Sequence, residues 1–300
     1  MKSATTSLRH LLAEHPNVFM PKGELFFFDI DDFFEHPAFF LGRAGNWRDW
    51  DFAQQQPALL AWYERFFSDA RPGQLVGEDS TTYLASDRAA SRIAAFNPKA
   101  RIFMVLRDPV ERAYSAYWHL VRTGYAVFDF EKTLTRMPEA VLQLSYYRAQ
   151  VERFLHFFPR QQIQILLFEE FITDPRRSVQ DCFRFLGLDP GAPQPTGVNH
   201  LNAGTTPRWP GLELWWNRRQ LGRERNPWLG RLPAEREGVP SNTEQRSIAE
   251  RMYRKLNPLR KGQPPPMRPE TRQFLTALLR RENEGLGRLI GRDLDQVWFR

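Results

Sequence analysis

Three hundred residues suffice for one large α/β domain or two small ones. With 42% hydrophobic and 26% charged residues, the chain has the balance of a soluble globular protein rather than of a fibrous or disordered one. The net charge of +7 suits an anionic ligand, and the single cysteine, Cys182, excludes an intrachain disulfide.

The first eight residues, Met1-Lys2-Ser3-Ala4-Thr5-Thr6-Ser7-Leu8, combine a Lys, small residues and a run of hydroxyls ahead of a helical stripe through Leu8, Leu11 and Leu12. Small residues let successive N–H groups turn into one concavity, and a helix N-terminus adds partial positive charge. Such a segment is either a phosphate- or sulfate-holding loop or an ordinary hydroxyl-rich cap. Loops of the first kind follow a buried strand. No residues precede Met1 here, so that first strand is expected to be absent or replaced by another segment. The order, Lys before the hydroxyls, differs from the Gly-Lys-Ser/Thr ending of a Walker loop.

Val18-Phe19-Met20 predicts a short extended segment. In Gly23-Glu24-Leu25-Phe26-Phe27-Phe28 one carboxylate adjoins an apolar run. Glu24 is thus either a base with a raised pKa or a solvated turn residue at the mouth of a buried strand. Between 35 and 75 the chain is rich in aromatic residues, with a helix around Pro57–Tyr63; Trp47 and Trp50 line an acceptor cleft or belong to the core. Leu75-Val76-Gly77-Glu78 predicts a strand opening into the polar loop Asp79-Ser80-Thr81-Thr82-Tyr83, where α/β folds place ligand groups. A helix over 88–96 follows.

Arg101–Leu106 is the clearest buried strand. It ends in Arg107-Asp108-Pro109-Val110-Glu111-Arg112-Ala113-Tyr114-Ser115, with Pro109 at the first helical position. Arg107 at the strand end and Ser115 two turns into the helix form a second anion site, or Arg107 is a structural ion-pair partner. A helix over 142–158, a strand over 163–168 and a helix over 176–187 complete a strand–helix rhythm that predicts a parallel sheet. Residues 189–211 predict a long loop, 212–260 Arg-rich helices, and Arg260-Lys261-Gly262-Gln263-Pro264-Pro265-Pro266 a second loop before a last helix from Pro269 to Leu289. The Arg-rich stretches carry no nucleic-acid-binding signature and read as solvated faces, so nucleic acid is not an expected partner. Cysteine usage and the lack of a long apolar run predict a cytoplasmic protein without a membrane span.

Taken together, these stretches resemble the sulfotransferases that use 3′-phosphoadenosine 5′-phosphosulfate (PAPS), the bacterial relatives of the heparan-type, Golgi-class enzymes above all. The resemblance runs along nearly the whole chain. Lys2–Leu8 resembles that family's 5′-phosphosulfate loop, with Ala4 where Gly is common. Arg107 through Ser115 resembles its 3′-phosphate motif, Gly77–Tyr83 its Gly-Glu-x-Ser/Thr-Pro-x-Tyr strand end, Lys261-Gly262 its nucleotide-covering loop, and Leu286–Trp298 its C-terminal helix and tail.

The resemblance implies a P-loop-like three-layer α/β fold, with a central parallel sheet and helices on both faces, in one domain over residues 1–300. It implies that Lys2, Ser3, Ala4, Thr5, Thr6 and Ser7 hold the 5′-phosphosulfate. Arg107 and Ser115 would hold the 3′-phosphate, Lys261 and Gly262 would close over it, and Glu24 and Lys2 would be catalytic, Glu24 as base. PAPS is the implied donor and no metal is required. Gly23, Phe26 and Asp79 stand where heparan enzymes carry Lys, His and Lys, which implies a small-molecule, carbohydrate or lipid acceptor that is not a sulfated polyanion. The alternatives are a P-loop-type small-molecule kinase and a nucleotide-binding protein with impaired catalysis.

Overall fold

The computed structural model describes residues 3–41, 45–49, 51–191, 204–220 and 248–299. Its organising element is a parallel pair, β3 (Ile102–Leu106) and β4 (Ile163–Leu167), with Ile102 opposite Ile163 and Leu106 opposite Leu167. Parallel pairing requires a long crossover. Here it contains the helices Pro109–Thr123 and Tyr147–Phe157.

The two faces of this pair are divided by the period-two alternation of a strand. Val105 and Leu166 join Leu8, Leu11 and Leu12 of the helix Thr5–Ala13 and Val179 and Phe183 of the helix Pro175–Leu186. Met104, Leu106, Ile163 and Leu167 join Ile93 of the helix Ala89–Phe96 and Val151 and Phe154 of Tyr147–Phe157. Burial on both faces explains the near-continuous apolar runs in the sequence.

The expected α/β class holds, but the strands do not form one parallel sheet. Among the described residues the ladders are three separate pairs. β1 (Val18–Phe19) runs parallel to β2 (Leu75–Val76), and at two residues each they share only two register positions. β5 (Thr205–Pro207) and β6 (Leu259–Lys261) are antiparallel, Thr205 opposite Lys261. That pair arises where the sequence predicts a long loop, for β5, and the junction of an Arg-rich helical stretch with a second loop, for β6, because its strands are three residues long and far apart in the chain.

Three further expectations change. The apolar run after Glu24 is not a strand: Phe26 has φ 55° and Phe27–Asp29 form a 3₁₀ turn, with Leu25, Phe27 and Phe28 all buried. The helix expected over 142–158 breaks before Tyr147, where Asn283 Oδ1 accepts the Tyr147 N–H at 2.8 Å and Asn283 Nδ2 donates to the Ser145 carbonyl at 2.9 Å. The last helix also stops early, at Glu282, and a short turn of helix, Leu286–Ile290, restarts after Gly285 at φ 84°.

Candidate functional site

The N-terminal loop has the geometry expected of an anion cradle. Ala4 precedes the helix Thr5–Ala13 at φ 62° and ψ 26°, and no side chain caps that helix. A left-handed residue followed by right-handed helix turns consecutive N–H groups toward one point. Ser3 and Ser7 are buried, while Thr5 and Thr6 are half-buried. Lys2 lies outside the described residues. The left-handed φ at Ala4 is strained for any residue with a Cβ, which accounts for glycine being the natural occupant of such a position.

Arg107 follows β3 directly. Its guanidinium lies over the Phe168 ring at 4.6 Å, and its Nη2 is 3.9 Å from Glu111 Oε2. Phe168 and Ala4 both pack against the apolar cluster that covers one face of β3 and β4. Asp108 caps the following helix, its Oδ1 accepting the Val110 and Glu111 N–H groups at 2.8 and 3.1 Å. Its own N–H donates to Glu169 Oε1 at 2.9 Å. Burial pushes the Asp108 carboxyl up to about 6. Ser115 is half-buried on this helix.

Arg112, which sequence reasoning did not single out, is buried beside Arg107. Its Nε donates to Ser145 Oγ at 2.6 Å and its Nη2 to the Val141 carbonyl. Burial first, and Arg107 to a lesser degree, pulls it down to about 10. Both of these acceptors are neutral.

Lys261 and Gly262 end β6 on the exposed side, and the Gly262 N–H donates to the Gly204 carbonyl at 3.3 Å. The loop beyond is tied to the Ser115 helix, because the Tyr114 hydroxyl donates to the Pro265 carbonyl at 2.7 Å. A cleft of about 320 Å³ opens along this hairpin, lined by Thr206, Arg208, Arg260 and Gln263 with prolines.

Glu24 is half-buried rather than solvated, and its Oε1 accepts the Thr81 N–H at 3.1 Å. Asp79 pairs with Arg9 Nε at 3.0 Å. Burial pushes Asp79 up to about 6, Arg9 opposing it and Glu24 adding to it, so the two carboxylates share one neighbourhood. Beside them lies a network within the Gly77–Tyr83 motif. Glu78 accepts the Tyr83 hydroxyl at 2.7 Å and Ser80 Oγ at 3.1 Å, and Ser80 Oγ accepts the Phe26 N–H at 3.0 Å. Burial pushes Glu78 up to about 7 against the pull of those hydroxyls. The sequence marks this stretch as a polar loop after a strand and by its Gly-Glu-x-Ser/Thr-Pro-x-Tyr resemblance, without showing which of its groups pair.

Of the aromatic residues proposed for an acceptor cleft, Trp47 is exposed and lies 6.3 Å from the Phe33 ring, whereas Trp50 lies outside the described residues. Among the described residues no group of three or more His, Cys, Asp or Glu is placed to hold a metal ion. Nor is any described helix long and apolar enough to cross a membrane.

A model of the sulfotransferase family matches residues 1–191. The chain is 29% identical over 205 residues to the human bifunctional heparan sulfate N-deacetylase/N-sulfotransferase 2, covering 63% of this chain and 21% of that protein. It is 25% identical over 200 residues to the mouse heparan sulfate glucosamine 3-O-sulfotransferase 5, covering 63% of this chain and 51% of that one. The chain thus spans about half or less of the length of these curated relatives. The crystal structure of a sulfotransferase from Alicyclobacillus acidocaldarius superposes with a TM-score of 0.63 at 26% identity, covering 100% of this chain and 95% of that one.

Proposed function

The chain belongs to the sulfotransferase family, and from that premise we propose that it moves a sulfuryl group from PAPS to an acceptor hydroxyl or amine. One observation supports the proposal above the others: the left-handed Ala4 before its helix and Phe168, on which the Arg107 guanidinium rests, pack against one apolar cluster that includes Val105 of β3 and Leu166 of β4. Two anion-holding elements on one cluster suit a donor with phosphates at the 3′ and 5′ positions of one ribose. The P-loop-like three-layer arrangement, in one domain over residues 1–300, belongs to the same proposal, as does a cytoplasmic location.

In this scheme Ser3, Ala4, Thr5, Thr6 and Ser7, with Lys2, hold the 5′-phosphosulfate through N–H groups, hydroxyls and charge. Arg107 and Ser115 hold the 3′-phosphate, with Lys261 and Gly262 over it. Glu24 takes the acceptor proton as the acceptor oxygen or nitrogen bonds to sulfur. The bond from sulfur to the bridging oxygen of the 5′-phosphate breaks, and its electron pair leaves with 3′-phosphoadenosine 5′-phosphate. Lys2 and the helix N-terminus offset the charge that builds there. Such a loose in-line transfer depends mainly on positioning and electrostatics, as phosphoryl transfer does, and this scheme routes no step through a metal.

The acceptor side is acidic. Glu24 and Asp79 lie together, and Arg9, at hand for neutralising them, is already paired with Asp79. A neutral or cationic acceptor suits that charge better than a sulfated polyanion.

The test is PAPS-dependent sulfation across an acceptor panel, with ATP plus magnesium as the kinase control, in wild type and Glu24→Gln. Loss of a positioned base costs roughly 10²–10⁴-fold in rate. That loss, with donor binding retained, is expected; near-normal turnover removes Glu24 from the role, and magnesium-dependent ATP turnover in place of sulfation removes the proposal.

A further inference from the structure

The β5–β6 hairpin is anchored at its base by a buried polar cluster that the transfer scheme leaves unused. Glu213, on the helix Pro210–Arg219, is fully buried. Its Oε1 accepts Arg254 Nη2 at 2.8 Å. Its Oε2 accepts Arg254 Nη1 at 2.9 Å, the Tyr253 hydroxyl at 2.8 Å and Asn257 Nδ2 at 3.1 Å. Arg254, Tyr253 and Asn257 lie on or just after the helix Ile248–Leu256, immediately before β6. Asn257 also closes the hairpin base, its Oδ1 accepting the Trp209 N–H at 2.8 Å just after β5.

The same helix that carries Glu213 is docked to the helix that carries Ser115. Asn217, buried one turn after Glu213, donates through Nδ2 to the Val121 and Ala126 carbonyls at 3.0 and 2.9 Å. Beyond β6 the chain returns to that helix through the Tyr114–Pro265 hydrogen bond. Lys261 and Gly262 are therefore fixed on both sides relative to Ser115. The Glu213–Asn257 contact lies on one side and Tyr114–Pro265 on the other.

A bidentate, largely desolvated Arg–carboxylate pair with further donors on the same carboxylate is costly to assemble and fixes geometry more than it adds stability. We propose that Glu213 is a positioning residue for the donor nucleotide: its clamp on Arg254, Tyr253 and Asn257 sets the Lys261–Gly262 loop against the Ser115 helix. The inference rests on the proposal that Lys261 and Gly262 cover the 3′-phosphate.

The experiment is calorimetric titration of 3′-phosphoadenosine 5′-phosphate into the full chain as wild type, Glu213→Gln, Lys261→Ala and the double variant. The expected result is a loss of roughly tenfold in affinity for each single variant, the scale of one charge-assisted hydrogen bond. The double variant loses no more than the weaker of the two singles. In turnover, Glu213→Gln raises KM for the donor and leaves kcat unchanged. Losses that multiply in the double variant overturn the inference, because a general loss of stability acts independently of Lys261. A weakened Lys261→Ala beside an unchanged Glu213→Gln overturns the inference alone. An unchanged Lys261→Ala overturns the assignment of the nucleotide loop and the inference with it. Should Glu213→Gln fold poorly in a thermal melt, the paired Glu213→Met, Arg254→Met variant leaves no lone buried charge. It is held to the same expectation and the same refutation.

Discussion

Arg107→Ala separates recognition of the 3′-phosphate from recognition of the rest of the nucleotide. The guanidinium is half-buried, rests on Phe168 at 4.6 Å and is 3.9 Å from Glu111 Oε2. At that distance the Glu111 contact is weak, and the Phe168 ring supports the guanidinium through a cation–π contact. A charge-assisted hydrogen bond is worth about 1.5–3 kcal/mol. Its loss lowers affinity for 3′-phosphoadenosine 5′-phosphate roughly 10- to 150-fold. AMP, which has no 3′-phosphate, should bind wild type and variant alike. Arg107→Lys should fall between, because an ammonium keeps the charge and loses the planar fork. Calorimetric titration of both nucleotides into all three proteins reads these differences. Equal losses for AMP and the bisphosphate would refute the assignment, since Arg107 would then act through the fold rather than on the 3′-phosphate.

Three other outcomes follow from the buried groups. The folded chain holds a proton on Glu78 up to about pH 7, whereas the ordinary carboxyl value is 4.5. The unfolded chain releases that proton earlier, so this group's contribution to stability is full below pH 4.5 and declines as pH rises through about 7. Glu78→Gln should flatten the fall in Tm between pH 5 and 7, and melting curves that decline in parallel would count against it. Arg112→Ala should cost about 2–4 kcal/mol, through a cavity and two buried acceptors losing their donor; urea denaturation with an unshifted midpoint would contradict that. Cys182 is wholly buried, and burial pushes its thiol up to about 12. Its labelling by a thiol reagent should therefore track unfolding across a urea series, and rapid labelling of the native protein would show the site to be open.

What could be read from the sequence was whatever is local. The Leu8, Leu11 and Leu12 stripe gave its helix, the apolar run over 102–106 its strand, and Asp108-Pro109 the start of the next helix, because each depends on neighbours within a few residues. The N-terminal loop was legible as a type, from small residues and hydroxyls ahead of a helix, but the left-handed Ala4 was not, because a residue with a Cβ takes that conformation only where the surrounding fold holds it. Pairing was not legible. β5 and β6 are three residues each and meet across a long stretch of chain, and β1 and β2 are too short to leave a periodic signal. The break before Tyr147 depends on Asn283, far along the sequence, so an apparently continuous helical pattern was misleading.

The site divides along the same line. Its anion-holding residues lie in contiguous motifs, and their types announce their chemistry. Most groups that hold the surrounding elements do not: Arg112 with Ser145 and Glu213 with Arg254 are contacts between residues distant in the chain whose identities are unremarkable one at a time. Each is a buried polar group, and a buried polar group must be partnered or pay a desolvation cost. That requirement acts only once the fold has brought the partners together. Glu213 therefore reads in sequence as one more charge on an Arg-rich helix, while in the fold it is the carboxylate on which four donors from the chain just before Lys261 converge.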